Sequence, residues 1–598
     1  MKRLFAVILS VLMLTALTVP AVAAAETYDL SIRNTATGHT YDAYQLFAGT
    51  LSGSVLSDLT WGAAIYKDVD GDGVIEEGDY DYSADLVAAI LADTEAIEQA
   101  GNTTTTLKDK FASLAGKTGT EAAQEMAKVL ATLDPVGSLV LDRFAQIVGK
   151  VSGGKHLYLG DYSGTTNTSA NGVYTIAGLP AGYYLVKDRD GTVPAVGDFH
   201  TKYLIDVVKT HTIDIKGEAP TVEKLINDTV NGTYGKVEDF DIFDTAYYMW
   251  QGQLPSDLLS YDLYAYTFID ELPLGIEFTR FEAVYVQDGH GKVVHTFMNL
   301  TDGDTTNDTL PAGITQSVVD NNSDADLVEQ TVTLDFDDLL TLYPNIKPDH
   351  EIVVKYSTII TRHALMVEAM SNKVVLVYSN NPNGGGEGQT GTTPPDYAHA
   401  FTFDLNIDKY DAANEATKLE GVEFILYKST TIEDTTTTYY ALVVTEEDIA
   451  AGKEVNGHKL VEAYLGNIYG WTTNREEASI LDTDVNGALK VEGLDADIYY
   501  LEEVKAKDGY NKLNSPIKVE ITAVYNGENT PTCTVIPTYH VDNNNQGTTD
   551  VVKIANSQGT VLPSTGGVGT TLFYVFGALM VAAAVVLLVT KKRMNVEN

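Results

Sequence analysis

The chain has 598 residues, with 83 acidic against 39 basic side chains, a formal net charge of −44 and one cysteine, Cys533. Phosphate backbones repel so acidic a chain, which excludes nucleic acid as a partner, and a lone thiol excludes an internal disulfide framework. At about 150 residues per domain the length allows three or four domains.

Lys2 and Arg3 precede an apolar run, and small residues up to Ala25 offer an A-x-A cleavage site before Glu26. Residues 1–25 therefore read as a secretory signal peptide. From Glu26 onward, short segments rich in Val, Ile, Tyr and Thr alternate with polar residues and are punctuated by Gly, Asn and Asp. This pattern predicts a mostly β chain of tandem immunoglobulin-like β-sandwich domains. Helical spacing is confined to the first of them, residues 26–217. There Leu86 and Ile90, then Met126, Val129, Leu130 and Leu133, then Phe144, Ile147 and Val148 predict helices inserted between the strands. Within the same region Asp68, Asp70 and Asp72 stand at positions 1, 3 and 5 of an acidic loop, with Gly73 at 6 and Asp79 at 12. That is the spacing of a calcium loop. Because position 12 is Asp rather than the longer Glu, a metal-free polar hairpin is the alternative. No other cofactor is expected.

A weak internal repeat links Asn171-Gly172, Gly178-Leu179 and Tyr183-Tyr184-Leu185 to Asn486-Gly487, Gly493-Leu494 and Tyr499-Tyr500-Leu501, with one residue of slippage. Two related sandwiches thus flank a different middle domain, residues 218–390. A glycine-rich stretch from Gly384 to Pro395 reads as the linker to the last sandwich, residues 396–558. In that last domain Phe403, Leu405, Ile407 and Lys409 share one face of a strand, as do Tyr499, Leu501 and Glu503, and Val552, Ile554 and Asn556. Three polar groups directed into an apolar interior are costly unless they satisfy or react with each other. Burial favours a neutral amine and a protonated acid. Lys409 can then attack the Asn556 carboxamide while Glu503 shuttles protons, releasing ammonia and leaving an isopeptide bond. In the repeat's first copy Lys187 occupies the place of Glu503 and the opening strand around Asp29–Arg33 offers no lysine, so no cross-link is expected there. No nucleophile, histidine and acid set stands out, and the chain is not expected to be an enzyme.

At the C-terminal end, residues 559–598, Leu562-Pro563-Ser564-Thr565-Gly566 precedes an apolar run, residues 571–590, and then Lys591, Lys592 and Arg593. The run is long enough to span a bilayer, and the basic cluster should stay cytoplasmic. This order resembles the cell-wall sorting signal of Gram-positive surface proteins. The resemblance implies that a sortase cleaves between Thr565 and Gly566 and joins the Thr565 carbonyl to an amine, leaving the protein anchored to peptidoglycan.

The run Tyr500-Leu501-Glu502-Glu503-Val504-Lys505-Ala506-Lys507-Asp508-Gly509-Tyr510 resembles the E-box of Gram-positive pilins, YLxETxAPxGY, with Val504 and Lys507 departing from it. Asp408-Lys409-Tyr410-Asp411 and Leu419-Glu420-Gly421-Val422-Glu423-Phe424 are placed like the opening of that collagen-adhesin-type domain. In the middle domain Val222, Lys224 and Ile226 alternate, as do Tyr264, Tyr266, Phe268 and Asp270, and Leu376, Tyr378 and Asn380. Its two ends look like the isopeptide-forming central domain of backbone pilins, which implies a Lys224 to Asn380 bond promoted by Asp270. Asn381 faces the other way. The same resemblance implies a joint lysine just before the middle domain, in a motif similar to YPKN. Lys216 takes that place, with Lys209 in reserve. The implied function is the structural backbone subunit of a covalently polymerised pilus, with sortase, identical subunits, minor pilins and peptidoglycan as partners. The alternative is a monomeric wall-anchored adhesin for a host or microbial ligand.

Overall fold

The computed structural model describes Glu26 to Met594 apart from residues 70–78, 100–102, 134–137, 153–154, 216, 301–307, 323–328, 367, 383–388, 433–434, 456–457, 528–531, 542–543, 549 and 561–567. Three sandwiches follow one another. In the first, Thr27–Arg33 pairs antiparallel with Val173–Pro180 and parallel with His211–Asp214. The facing sheet is built on Tyr41–Ser52, Gly182–Asp188 and Lys202–Val207. Helices Ser83–Ala92, Gly119–Leu130 and Leu139–Val148 are inserted as the spacing predicts. They bury Leu86, Ile90, Met126 and Phe144, with Phe111, against Leu46, Phe47 and Leu185 of the facing sheet, in a core separate from the one between the two sheets. The last helix starts where the Ser138 side chain accepts the Leu141 N–H, an N-cap that occupies one of the free donors of the first turn.

In the middle domain, Val222–Asn227, Thr245–Gln253, Glu351–Ile360 and Ile276–Gln287 form one sheet. Tyr266–Leu272, Gln330–Phe336 and Met370–Ser379 centre the other. The aromatic-rich alternation that predicts these strands also fills the space between them, with Trp250, Phe268, Tyr266 and Tyr356 wholly buried. In the last domain the opening strand Phe403–Asp411 runs parallel to the closing strand Val552–Asn556. Glu423–Ile432, Thr435–Val443, Ile498–Lys505 and Ile517–Asn526 supply the opposite sheet. Beyond it, Val568–Met594 is helical, and its segment Thr571–Lys592 has a mean hydropathy of 2.7 and buries none of its surface.

One boundary differs from the sequence reading. The stretch from Gly384 to Pro395 that reads as a linker does not separate the two domains, because the chain after it returns to the middle domain's sheet: Thr390–Thr392 pairs with Val377–Ser379, and Asp396–Ala400 pairs with Met370–Val374. Ala398 and Ala400 lie in the middle core, whereas Phe401 and Phe403 lie in the last one. The change of domain therefore falls at Thr402, within what reads as continuous strand. Glycine and proline mark a turn; they do not say that the strand after it returns to the same sheet.

The domains are docked, not merely tethered. Between the first and the middle, Gly197 N–H donates to Thr392 O at 2.7 Å, His200 N–H to Asn380 O at 2.9 Å, and the Tyr378 hydroxyl to Asp198 O at 2.9 Å. The Arg143 guanidinium donates to Asp262 at 2.7 Å. Between the middle and the last, Ile242 and Phe243 enter the last domain's core, and the Asp241 carboxylate accepts from Trp471 Nε1 at 2.6 Å.

Candidate cross-linking sites and anchor

The parallel pairing of the last domain sets Lys409 beside Ile554 and Asp411 beside Asn556. Lys409 and Asn556 thus point into the core from neighbouring strands, two residues out of register, a gap that a lysine side chain spans. Lys409 Nζ lies 2.6 Å from Asn556 Oδ1 and 3.0 Å from Glu503 Oε2, while Asn556 Nδ2 donates to Glu503 Oε1 at 2.7 Å. Lys409 is wholly buried, and Glu503 and Asn556 nearly so. Burial pushes the Lys409 amine below its ordinary range, against the pull of Glu503. A deep charge without such partners costs several kcal/mol, more than the roughly 2 kcal/mol that a buried leucine contributes. These three residues are therefore not a packing choice. They put an amine, a carboxamide and a proton carrier in contact, the geometry a proximity-driven acyl transfer needs.

The middle domain holds a related group with one member changed. Lys224 Nζ lies 2.6 Å from both Asp270 oxygens and 2.9 Å from the Tyr356 hydroxyl. Trp250 Nε1 donates to Asp270 Oδ2 at 3.0 Å, and Tyr356 donates to the same oxygen. Burial lowers Lys224 to about 8, against the attraction of Asp270, and raises Asp270 above the usual carboxylate range. The carboxamide here is Asn372, not Asn380. Asn372 Nδ2 donates to the Tyr356 hydroxyl at 3.0 Å, so amine and carboxamide meet at one oxygen. Asn372 is wholly buried, and its Oδ1 has no hydrogen-bond partner among the described residues. Asp270 pairs with Val374, two residues from Asn372 but six from Asn380, or about 20 Å along a strand. Asn380 instead sits at the junction with the first domain, its carbonyl accepting the His200 N–H. Both asparagines share the parity of Leu376 and Tyr378, so alternation admits either; position along the strand decides.

In the first domain the repeat is offset by one residue from its sequence alignment. The Tyr184 hydroxyl donates to Pro180 O, as the Tyr499 hydroxyl donates to Asp495 O, four residues back in each case. Tyr184 thus corresponds to Tyr499, and Asp188, rather than Lys187, stands in the place of Glu503. Its partner is His39, whose Nδ1 lies 2.8 Å from Asp188 and whose Nε2 lies 2.9 Å from Asp198. Burial alone would lower the His39 pKa, but the two carboxylates outweigh it and push it up to about 9.

Leu562, Pro563, Thr565, Gly566 and Lys216 lie outside the described residues. Lys209 is exposed in the bend that precedes His211–Asp214. A cleft of about 400 Å³ between the first and middle domains is lined by Lys202, His200, Asp142, Gly217 and Asp257. The Lys202 amine is buried there with no hydrogen-bond partner among the described residues, and burial lowers it to about 8. Nothing in the sequence signalled that lysine, whose strand face is set by pairing with Lys187. Of the acidic loop, Asp70 and Asp72 lie outside the described residues, and Asp79 Oδ1 accepts the Val69 N–H at 2.8 Å.

Residues 555–596 match the LPXTG cell wall anchor motif, with the apolar helix directly behind the pentapeptide. This is a cell-wall-anchored surface protein. Residues 403–532 match the SpaA prealbumin-like fold domain. The trypsin-resistant surface T6 protein of Streptococcus pyogenes serotype M6 is 25% identical over 284 residues, 43% of this chain and 50% of that protein, so the chain spans about half the length of this relative. Among solved structures, the T6 backbone pilin of serotype M6 Streptococcus pyogenes is 13% identical, with 90% of this chain and 99% of that one covered at a TM-score of 0.44. The major pilin SpaD of Corynebacterium diphtheriae is 14% identical, covering 89% and 98% at a TM-score of 0.40. The major pilin SpaA of the same organism is 11% identical, covering 89% and 100% at 0.39.

Proposed function

We propose that this protein is the structural backbone subunit of a covalently polymerised surface pilus, joined by a sortase through Thr565 to a lysine of the next copy and hardened by self-formed isopeptide bonds. The observation that supports it best is the buried contact of Lys409, Glu503 and Asn556, which ties the first strand of the last domain to its final strand, directly ahead of the anchor. In each bond the neutral lysine Nζ attacks the asparagine Cγ. The acid, Glu503 or Asp270, accepts the amine proton and delivers it to the departing Nδ2, and ammonia leaves. Bonds Lys409 to Asn556 and Lys224 to Asn372 are proposed. An acidic, disulfide-free subunit exposed outside the cell gains from them a resistance to unfolding that a reducing agent does not reverse.

For the joint, Lys216 remains the first choice, followed by Lys209 and by Lys202, which lines the cleft that Gly217 also borders. The test is co-expression with a pilus-type sortase followed by electrophoresis after boiling in detergent. A high-mass ladder is expected, lost on Lys216→Arg because a guanidinium stays protonated and is not acylated. Loss on Lys209→Arg or Lys202→Arg instead reassigns the joint. Absence of any ladder from the wild-type chain overturns the pilus reading in favour of a monomeric adhesin.

A further inference from the structure

At the junction of the first two domains the ingredients of the two triads recur across a domain boundary. Because Asp188 takes the place of Glu503, Lys187 projects from the opposite face of its strand, across from Lys202. It is 1% exposed, and its Nζ has no hydrogen-bond partner among the described residues. The closest carboxylate is Asp190, whose Oδ1 lies 3.7 Å away. The same oxygen accepts a hydrogen bond from Asn381 Nδ2 at 3.1 Å. Asn381 belongs to the middle domain, 191 residues from Asp190, and is 2% exposed.

An amine and a carboxamide thus approach one carboxyl oxygen from two domains, the amine at ion-pair distance and the carboxamide by a hydrogen bond, while Asn381 Nδ2 also donates to Gln389 Oε1 at 2.9 Å. The groups are held without help from each other, since the backbone bonds of Gly197 to Thr392 and His200 to Asn380 fix the two domains on either side. The other charges near Lys187 are engaged elsewhere: Asp42 receives a bidentate Arg189 at 2.8 Å, and Asp188 receives His39. Burial lowers the Lys187 amine below its ordinary range, against Asp190 and Asp42. The Asp190 side chain is 27% exposed, which gives ammonia a way out.

We propose that Lys187 and Asn381 form a third isopeptide bond, between the first and middle domains, with Asp190 as the proton-transferring acid. The Nζ lone pair attacks Asn381 Cγ while the carboxyl of Asp190 hydrogen-bonds the carboxamide. Asp190 then takes the amine proton and passes it to Nδ2, the Cγ–Nδ2 bond breaks, and ammonia departs. No oxidant or reductant is involved. The inference rests on the chemistry proposed for the other two bonds but uses none of their residues.

The experiment is intact mass of the purified mature chain, with tandem mass spectrometry of its tryptic digest. The expected result is a deficit of three ammonias and a branched peptide joining Lys187 to Asn381, uncut after Lys187 because an acylated lysine is not a trypsin site. Asp190→Asn and Asn381→Ala should each reduce the deficit to two and restore linear peptides, with circular dichroism reporting that the variants fold. A wild-type deficit of two, with linear peptides at Lys187 and Asn381, overturns this inference and leaves the other bonds standing. A deficit of none removes the shared chemistry as well. A deficit of three that survives Asp190→Asn also overturns it as stated.

Discussion

Replacing Glu503 with glutamine keeps the side chain's volume in the last domain and removes only its capacity to carry a proton. Lys409 and Asn556 are 147 residues apart, so the bond between them closes a loop whose removal returns about 5 kcal/mol of chain entropy to the unfolded state. A domain of this size, about 155 residues, unfolds with an entropy near 0.33 kcal/mol/K, so the loss corresponds to a melting point lower by roughly 15 °C. Differential scanning calorimetry of the mature chain reads that shift in one transition and should leave the others in place. Intact mass should rise by one ammonia in the same sample. A Glu503→Gln protein with wild-type mass and an unmoved transition would refute the reasoning, because either the acid is not needed or no bond forms.

Three further outcomes are expected. Asn372→Ala should return one ammonia to the intact mass and Asn380→Ala none; the reverse would restore Asn380 as the reacting group. His39, at about 9 when folded against 6.5 when free, should add about 3 kcal/mol that is complete below pH 6.5 and lost as pH rises through 9. The first domain's melting temperature should accordingly hold below pH 6.5 and fall towards pH 9.5, with the slope abolished in His39→Gln. If the loop from Asp68 to Asp79 binds calcium, titration calorimetry should show one site that Asp70→Ala removes; a flat titration identifies the metal-free hairpin.

Much of this arrangement was legible from alternation alone. Lys409, Glu503 and Asn556 fall on core faces because strand periodicity is strict and each follows apolar residues of the same parity. The inserted helices showed themselves in the spacing of Leu86 and Ile90, and of Met126 and Leu130. Parity, however, carries no information about position along a strand: it separates Asn380 from Asn381 but not from Asn372, which shares its face. The repeat keeps one spacing throughout, Asn171, Gly178 and Tyr184 answering to Asn486, Gly493 and Tyr499; the doubled tyrosine invites a one-residue slip that the hydroxyl of Tyr184, bonded four residues back, removes. Contacts between domains, including those of Lys202 and Asn381, depend on how separate sandwiches dock, and no periodicity within either one encodes that.

The parallel pairing of Phe403–Asp411 with Val552–Asn556 fixes how the last domain answers a pull on its ends. Tension drawn between its entry and its exit slides these strands lengthwise past each other, so their ladder of hydrogen bonds resists together instead of opening one after another. An amide between Lys409 and Asn556 goes further: force passes from one strand to the other through covalent bonds, and the chain between them bears none of it. The first domain has the same parallel closure, Thr27–Arg33 against His211–Asp214. In a filament joined at the lysine that follows it, that domain hangs beside the line of tension and has no need of a strut.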